Sequence, residues 1–324
     1  MTVSQTRLFA LVVGVLSSLS CRPESDAPLV GIRIQSFQAQ FFANSEWSTP
    51  VNVGAPVNSS AGEMNATLSP NELSLYFTSN RAGGLGGIDI WVSQRACADC
   101  PWETPVNLGR PVNGPGADAG PRFSNDGHLL FFQSDRTGGH GSADIYVSRR
   151  NNPKDDFNWG DPVNLGAGVN TAIAEQAADY LQSAEDGAGN LYFNRGLGTA
   201  ADLYYAAVTR DGETRGPAVL VSELSDPTAL DQHASVRKDG REIFFASLFR
   251  VSGLGGFDLW TSARRSVHEP WSTPVNVGRP LNTSFNDQQP SLSSDGRTLL
   301  FASDRPGGFG GNDLWISKRT PSGR

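Results

Sequence analysis

Lysine is almost missing from this chain of 324 residues: Lys154, Lys238 and Lys318 are the only three, so arginine carries nearly all the positive charge. Charged residues make up 18%, below the usual share of about a quarter. With 26 basic and 33 acidic groups the net charge is −7. That balance excludes the dense basic face that a nucleic-acid binder needs. Cysteine is scarce, with three residues, and the four histidines (His128, His140, His233, His268) are scattered, so no zinc-ligand set is expected. Long apolar runs are missing as well. Leu8 to Leu16 is short of the roughly twenty residues that cross a bilayer as a helix. What is plentiful is glycine (36) and proline (20), while hydrophobic residues reach 38%. Turn formers in that number, beside enough apolar material for a core, point to many short strands and an all-β chain.

The first twenty residues read as an export signal: a basic start ending at Arg7, a short apolar core, and small residues at Ser18 and Ser20. Cys21 follows, placed as in a bacterial lipobox, although Ser18 stands where leucine is usual. Cysteine parity favours lipidation of Cys21, because Cys97 and Cys100 can pair with each other as a local disulfide. The expectation is an exported, monomeric envelope protein, an outer-membrane lipoprotein facing the periplasm or the cell surface, with free secretion as the alternative. Residues 21–46 form the tether and N-terminal segment, 47–319 the folded domain, and 320–324 a tail.

Repetition organises that domain. Trp47-Ser-Thr-Pro-Val-Asn-Val-Gly54 returns at Trp102, Trp159 and Trp271, and in degenerate form at Thr214. Each copy then runs through a long loop closing on a carboxylate, a short strand, a tight turn such as Ser294-Asp-Gly-Arg297, an apolar strand, a glycine-rich hairpin and a third strand. The next Trp-x-x-Pro-Val-Asn segment supplies the fourth. Four short strands repeated radially describe a β-propeller blade. The outer strand at 47–53 completes the blade whose inner strands lie at 290–318. The pattern therefore predicts five blades closed by the N-terminal strand, with six as the alternative if residues 29–42 supply another.

The string at 290–315, Pro-Ser-Leu-Ser-Ser-Asp-Gly-Arg-Thr-Leu-Leu-Phe-Ala-Ser-Asp-Arg-Pro-Gly-Gly-Phe-Gly-Gly-Asn-Asp-Leu-Trp, resembles the PD40 (WD40-like) propeller repeat. That repeat is found in the TolB propeller and in periplasmic proteins with OmpA-type domains. The resemblance runs over residues 47–319 and implies a propeller of the cell envelope.

Five carboxylates recur three residues before the inner strand begins: Glu63, Asp118, Glu175, Asp231 and Asp287. They are expected to ring the mouth of the central channel, either as a cation or basic-ligand site or as partners of the equally recurrent Arg81, Arg136, Arg195, Arg250 and Arg305. The aspartates before the third strand (Asp89, Asp144, Asp202, Asp258, Asp313) read as turn caps. Recurrence in every repeat favours a structural role, so the candidate partner face lies on the less regular copies, around Glu175, Arg195, Asp231, His233 and Arg250. No resident metal or cofactor is expected, with calcium left open. No catalytic motif is present. The reading is a binding or scaffold propeller for an envelope protein, a peptide or a glycan. The alternative is a glycoside hydrolase or lyase with carboxylates at the channel mouth.

Overall fold

The computed structural model describes residues 47–183, 188–198 and 200–320; Cys21 and the segment 29–42 lie outside them. Among the described residues there is no helix. In chain order the strands are β1 (Val51–Asn52), β2 (Glu63–Leu68), β3 (Ser74–Ser79), β4 (Asp89–Gln94), β5 (Val106–Asn107), β6 (Asp118–Phe123), β7 (Leu129–Ser134), β8 (Asp144–Arg149), β9 (Val163–Asn164) and β10 (Glu175–Gln182). They continue as β11 (Gly189–Leu197), β12 (Ala200–Val208), β13 (Val219–Leu220), β14 (Leu230–Val236), β15 (Glu242–Leu248), β16 (Asp258–Ala263), β17 (Val275–Asn276), β18 (Asp287–Leu292), β19 (Thr298–Ser303) and β20 (Asp313–Lys318).

These strands form five antiparallel blades, each inner strand to outer: β2–β5, β6–β9, β10–β13, β14–β17, and β18–β20 completed by β1. The last pairing, Val51 with Ile316 and Asn52 with Trp315, ties the two ends of the domain together. The fold is a five-bladed β-propeller. Inner strands neighbour one another in the order β2, β6, β10, β14, β18, and β18 returns to β2. Closure gives the last blade its fourth strand, and the edges left at the rim belong to two-residue outer strands, too short to invite aggregation.

Blades pack face to face, so second strands are apolar on both sides and lack the alternation of a half-exposed strand. Tyr76, Phe77, Phe131, Phe132, Phe244, Phe245 and Phe301 are completely buried on them. Five apolar clusters follow, one at each blade interface. The outer-strand tryptophans wedge between neighbouring blades; Trp47, for example, meets Phe244 edge-on at 5.9 Å.

Every inner strand carries a register shift at its centre. The residue there is left-handed in all five: Asn65, Gly120, Ala177, His233 and Gln289, with φ between 50° and 66°. The bulge twists the strand where five strands converge. It also frees an amide from the ladder, and neighbouring side chains accept several of these: Gln289 Oε1 from Asn65, Thr78 Oγ1 from Gly120, Gln133 Oε1 from Ala177 and Asn194 Oδ1 from His233.

Candidate functional site

The five repeated carboxylates are buried at the start of their inner strands. Each meets the arginine of its own blade: Glu63–Arg81 at 2.9 Å, Asp118–Arg136 at 2.7 Å, Glu175–Arg195 at 2.8 Å, Asp231–Arg250 at 2.9 Å, and Asp287–Arg305. The same guanidinium donates to a loop carbonyl (Val57, Val112, Val169, Leu224 or Leu281). It also lies over two aromatic rings, as Arg250 does over Phe245 and Trp260 at 5.3 and 5.4 Å. A planar, delocalised cation does all three at once and an ammonium does not. The demand recurs once per blade. A second stack, Arg95 on Trp102, Arg150 on Trp159, Arg264 on Trp271 and Arg319 on Trp47, repeats at four blades. Together they give nine of the 23 arginines a role that lysine would not fill.

Glu175, Arg195, Asp231 and Arg250 thus make the same contacts as their counterparts in the other blades. His233 lies inside the channel, 7% exposed. Burial, with Arg122 nearby, holds its imidazole neutral, with the pKa lowered to about 3.

The channel itself is closed by residues that do not repeat. Arg122 occupies its centre, 3% exposed. Its guanidinium donates to the carbonyls of Asn65, Ala66 and Pro121 at 3.4, 3.3 and 2.9 Å, and to Pro290 at 3.0 Å. Asp179, its counter-ion, lies 3.5 Å from Nε and accepts the Val236 amide at 2.7 Å. Burial lowers the Arg122 pKa and raises that of Asp179, in each case against the other's charge. Arg122 and Asp179 stand where the other inner strands have Thr67, Ser235 and Ser291. That break in the repeat was the available sequence signal, and the reading above missed it.

A groove opens from this plug on the face opposite the repeated ion pairs. It runs from the ring centre outward between the third and fourth blades as three adjoining cavities that share lining residues. The channel mouth, floored by Arg122 and Asp179, shares Asn125 and Lys238 with a central cavity of about 480 Å³. The central part shares Asn190, Val267 and His268 with an outer pocket of about 280 Å³, walled by Tyr192, Tyr205 and Trp271. Its existence follows from strand length. Strands β10 and β11 run to 8 and 9 residues where the equivalents β6 and β7 have 6. The third blade therefore projects beyond its neighbours and raises a wall of Leu181, Gln182 and Asn190. Gly240 allows the opposite wall to close in, since a Cβ there would lie 2.6 Å from Val267 and 2.9 Å from Leu181.

Cys97 and Cys100 are bonded to each other in the loop between β4 and β5. Among the described residues no three histidine, cysteine or carboxylate side chains converge as a metal site. The repeated carboxylates spend their oxygens on arginine and hydroxyl groups.

No protein-family model matches the chain, and no curated protein does. Solved structures do. A glycoside hydrolase is similar at a TM-score of 0.60 with 10% identity, covering 90% of this chain and 96% of that one. The endo-arabinase from Bacteroides thetaiotaomicron VPI-5482 is similar at 0.54 with 15% identity, covering 85% and 98%. The α-L-arabinofuranosidase PaAbf62A from Podospora anserina, solved with cellotriose, is similar at 0.54 with 13% identity, covering 86% and 98%. The expected membership of the PD40 and TolB-type repeats is corrected by these findings: these similar structures are sugar hydrolases, and no family model matches. The physical reason lies in what the string at 290–315 encodes. Its Asp-Gly turn and glycine-rich hairpin specify a tightly connected antiparallel blade, which a propeller of another family needs equally. At these identities the likeness concerns the five-bladed fold.

Proposed function

We propose that this propeller engages an oligosaccharide in the groove between its third and fourth blades. The observation that carries the reading is the groove's make-up: three adjoining cavities in a row, with aromatic walls at one end and amide, hydroxyl and charged groups along the row. Adjacent strands lie about 4.8 Å apart, so a cleft from inner to outer strand is on the order of 15 Å long. That length suits a short glycan. Of the two expectations drawn from the sequence, the sugar hydrolase has the support of the matching structures, whose names are those of sugar-cleaving enzymes; a protein or peptide scaffold has none there. The test is binding to an immobilised glycan panel, read with Tyr205→Ala. Selective binding that the substitution weakens supports the proposal, and a panel without binders removes it.

Hydrolysis is the second reading, and Asp179 favours it. Among the described residues it is the only carboxylate lining the channel mouth, and its raised pKa runs in the direction a general acid needs. A glycosidase of the usual kind pairs two carboxylates about 5–9.5 Å apart. The five repeated ones are each held by arginine, so Asp179 has no free partner among them. Reducing-sugar release that Asp179→Asn abolishes, with binding retained, would establish catalysis. We further propose that the chain is exported, with Cys21 as its lipid anchor. Cys21→Ser would then release it into the soluble fraction, whereas a wild type already soluble and free of labelled fatty acid would overturn the anchor.

A further inference from the structure

The groove is electrically lopsided. Its largest part is lined by two charged side chains, Lys238 and Asp239. Asp239 is already committed: both carboxylate oxygens accept from Arg237, at 2.8 and 2.7 Å, and one also accepts the Arg241 amide at 3.0 Å. Lys238 is exposed and makes no hydrogen bond or ion pair among the described residues. It sits where the central cavity meets the channel mouth. There the remaining charges are Arg122 and Asp179, which offset each other. Among the described residues, the inner end of the groove therefore carries one uncommitted cation, in a protein whose net charge is −7.

The outer end is the reverse. Glu223 and Glu269 line it, while the basic group present, Arg264, is occupied by the Gly240 carbonyl at 2.6 Å and lies 4.0 Å from the centre of the Trp271 ring. An anionic ligand group is thus drawn inward and repelled at the rim. The apolar surface between the two ends, supplied by Leu181 and Val267, suits the faces of sugar rings better than a run of charges.

We infer that the ligand is an acidic glycan of the uronic-acid class. Its carboxylate meets Lys238 at the channel mouth, and its neutral residues extend outward past His268 to Tyr205. The inference rests on the glycan reading above and adds to it a charge and a direction. One point charge without a bidentate partner tolerates different sugar stereochemistries, so selectivity here is for the carboxylate itself.

Titration calorimetry with a galacturonic acid trisaccharide and its fully methyl-esterified counterpart separates the two levels. The acid should bind roughly tenfold tighter than the ester, the size of one charge-assisted hydrogen bond. The preference should shrink as salt rises. Lys238→Gln should abolish the preference, and its exposed position lets the melting temperature serve as a folding control. Equal affinity for acid and ester, or a preference that survives Lys238→Gln, overturns the inference while leaving glycan binding in place. Binding of neither, with the wider glycan panel also negative, overturns both.

Discussion

The fifth and third blades show which features of this propeller are required and which can be given up. The fifth has every repeated device. Trp47 is stacked by Arg319, Asn52 donates to Asp313 at 2.8 Å, Asn58 bridges both backbone groups of Leu314, and Asp313 accepts the amides of Phe309 and Gly310. The third blade has lost almost all of them. Thr214 replaces the tryptophan, Val208 the stacking arginine, and Leu220 the first asparagine. Its hairpin is shorter, and Asp202 is partnered by Ser225, with its pKa raised by burial and by Asp231. What survives is the ion pair, Glu175 with Arg195 at 2.8 Å. The comparison teaches that the buried pair is the part of the repeat that ring closure cannot spare. Outer-strand devices can be dropped where longer strands supply backbone bonds instead, and that substitution builds the groove wall.

The largest expected effect tests the shared feature. Asp287→Ala in the fifth blade and Glu175→Ala in the third each strand a buried guanidinium and should cost about 3–5 kcal/mol. Thermal denaturation should show similar losses for both. A small loss in the third blade alone would break the comparison.

The second effect tests what differs. Asn282→Ala in the fourth blade leaves the Leu259 amide and carbonyl without the partners they now have at 2.8 Å each; the cost should be about 1–3 kcal/mol. The matching position after the third blade is Ser225, which follows Leu224 as Asn282 follows Leu281 and whose hydroxyl donates to the Val221 carbonyl at 3.2 Å. Ser225→Ala should stay within about 1 kcal/mol. Equal costs from urea denaturation would show that the third blade kept the device in another form.

The last effect is confined to acid pH and concerns the channel, and its sign follows from proton counting. His233 is neutral when folded down to about pH 3, but takes up a proton near its ordinary value of about 6.5 when unfolded. The unfolded state binds more protons in between, so stability is full above about 6.5 and is lost as the pH falls towards 3. The slope contributed by this one group is at most about 1.4 kcal/mol per pH unit. Asp179 acts oppositely, since its raised pKa makes the folded state the tighter proton binder and its contribution declines as pH rises above the ordinary carboxylate range. His233→Asn, which accepts the left-handed backbone, should flatten the fall between 6.5 and 3. An unchanged slope would place the protonation elsewhere.

Much of the fold was legible because propeller blades repeat their instructions. Blade number, strand order and closure by the strand after Trp47 could all be read from spacing alone. The mate of each repeated carboxylate was visible too, since Arg81 and its counterparts recur at a matching place. Family membership was not legible. Turn chemistry such as Ser294-Asp-Gly-Arg297 records how strands are joined, and unrelated propellers join them alike. The inner-strand bulges were hidden because left-handed backbone at Ala177 or Gln289 has no residue signature. The groove was hidden for a different reason. It arises from the length of β10 and β11, and periodicity places strands more securely than it ends them. The irregular copies did draw attention to the third and fourth blades. Of the candidates there, Glu175, Arg195, Asp231 and Arg250 are repeated residues held in ion pairs, whereas Arg122, Asp179 and Lys238, on which the groove proposal rests, have no counterpart in the other blades.

The central claim is that the repeated residues hold the ring while unrepeated ones, on the opposite face between the third and fourth blades, meet the ligand. Hydrogen–deuterium exchange with and without a bound glycan tests it most directly. The account predicts slower exchange at 188–192, 236–241 and 264–271, which wall the groove, and no change at 81–89 or 305–313. Protection at those upper hairpins, with the groove segments unaffected, would contradict it.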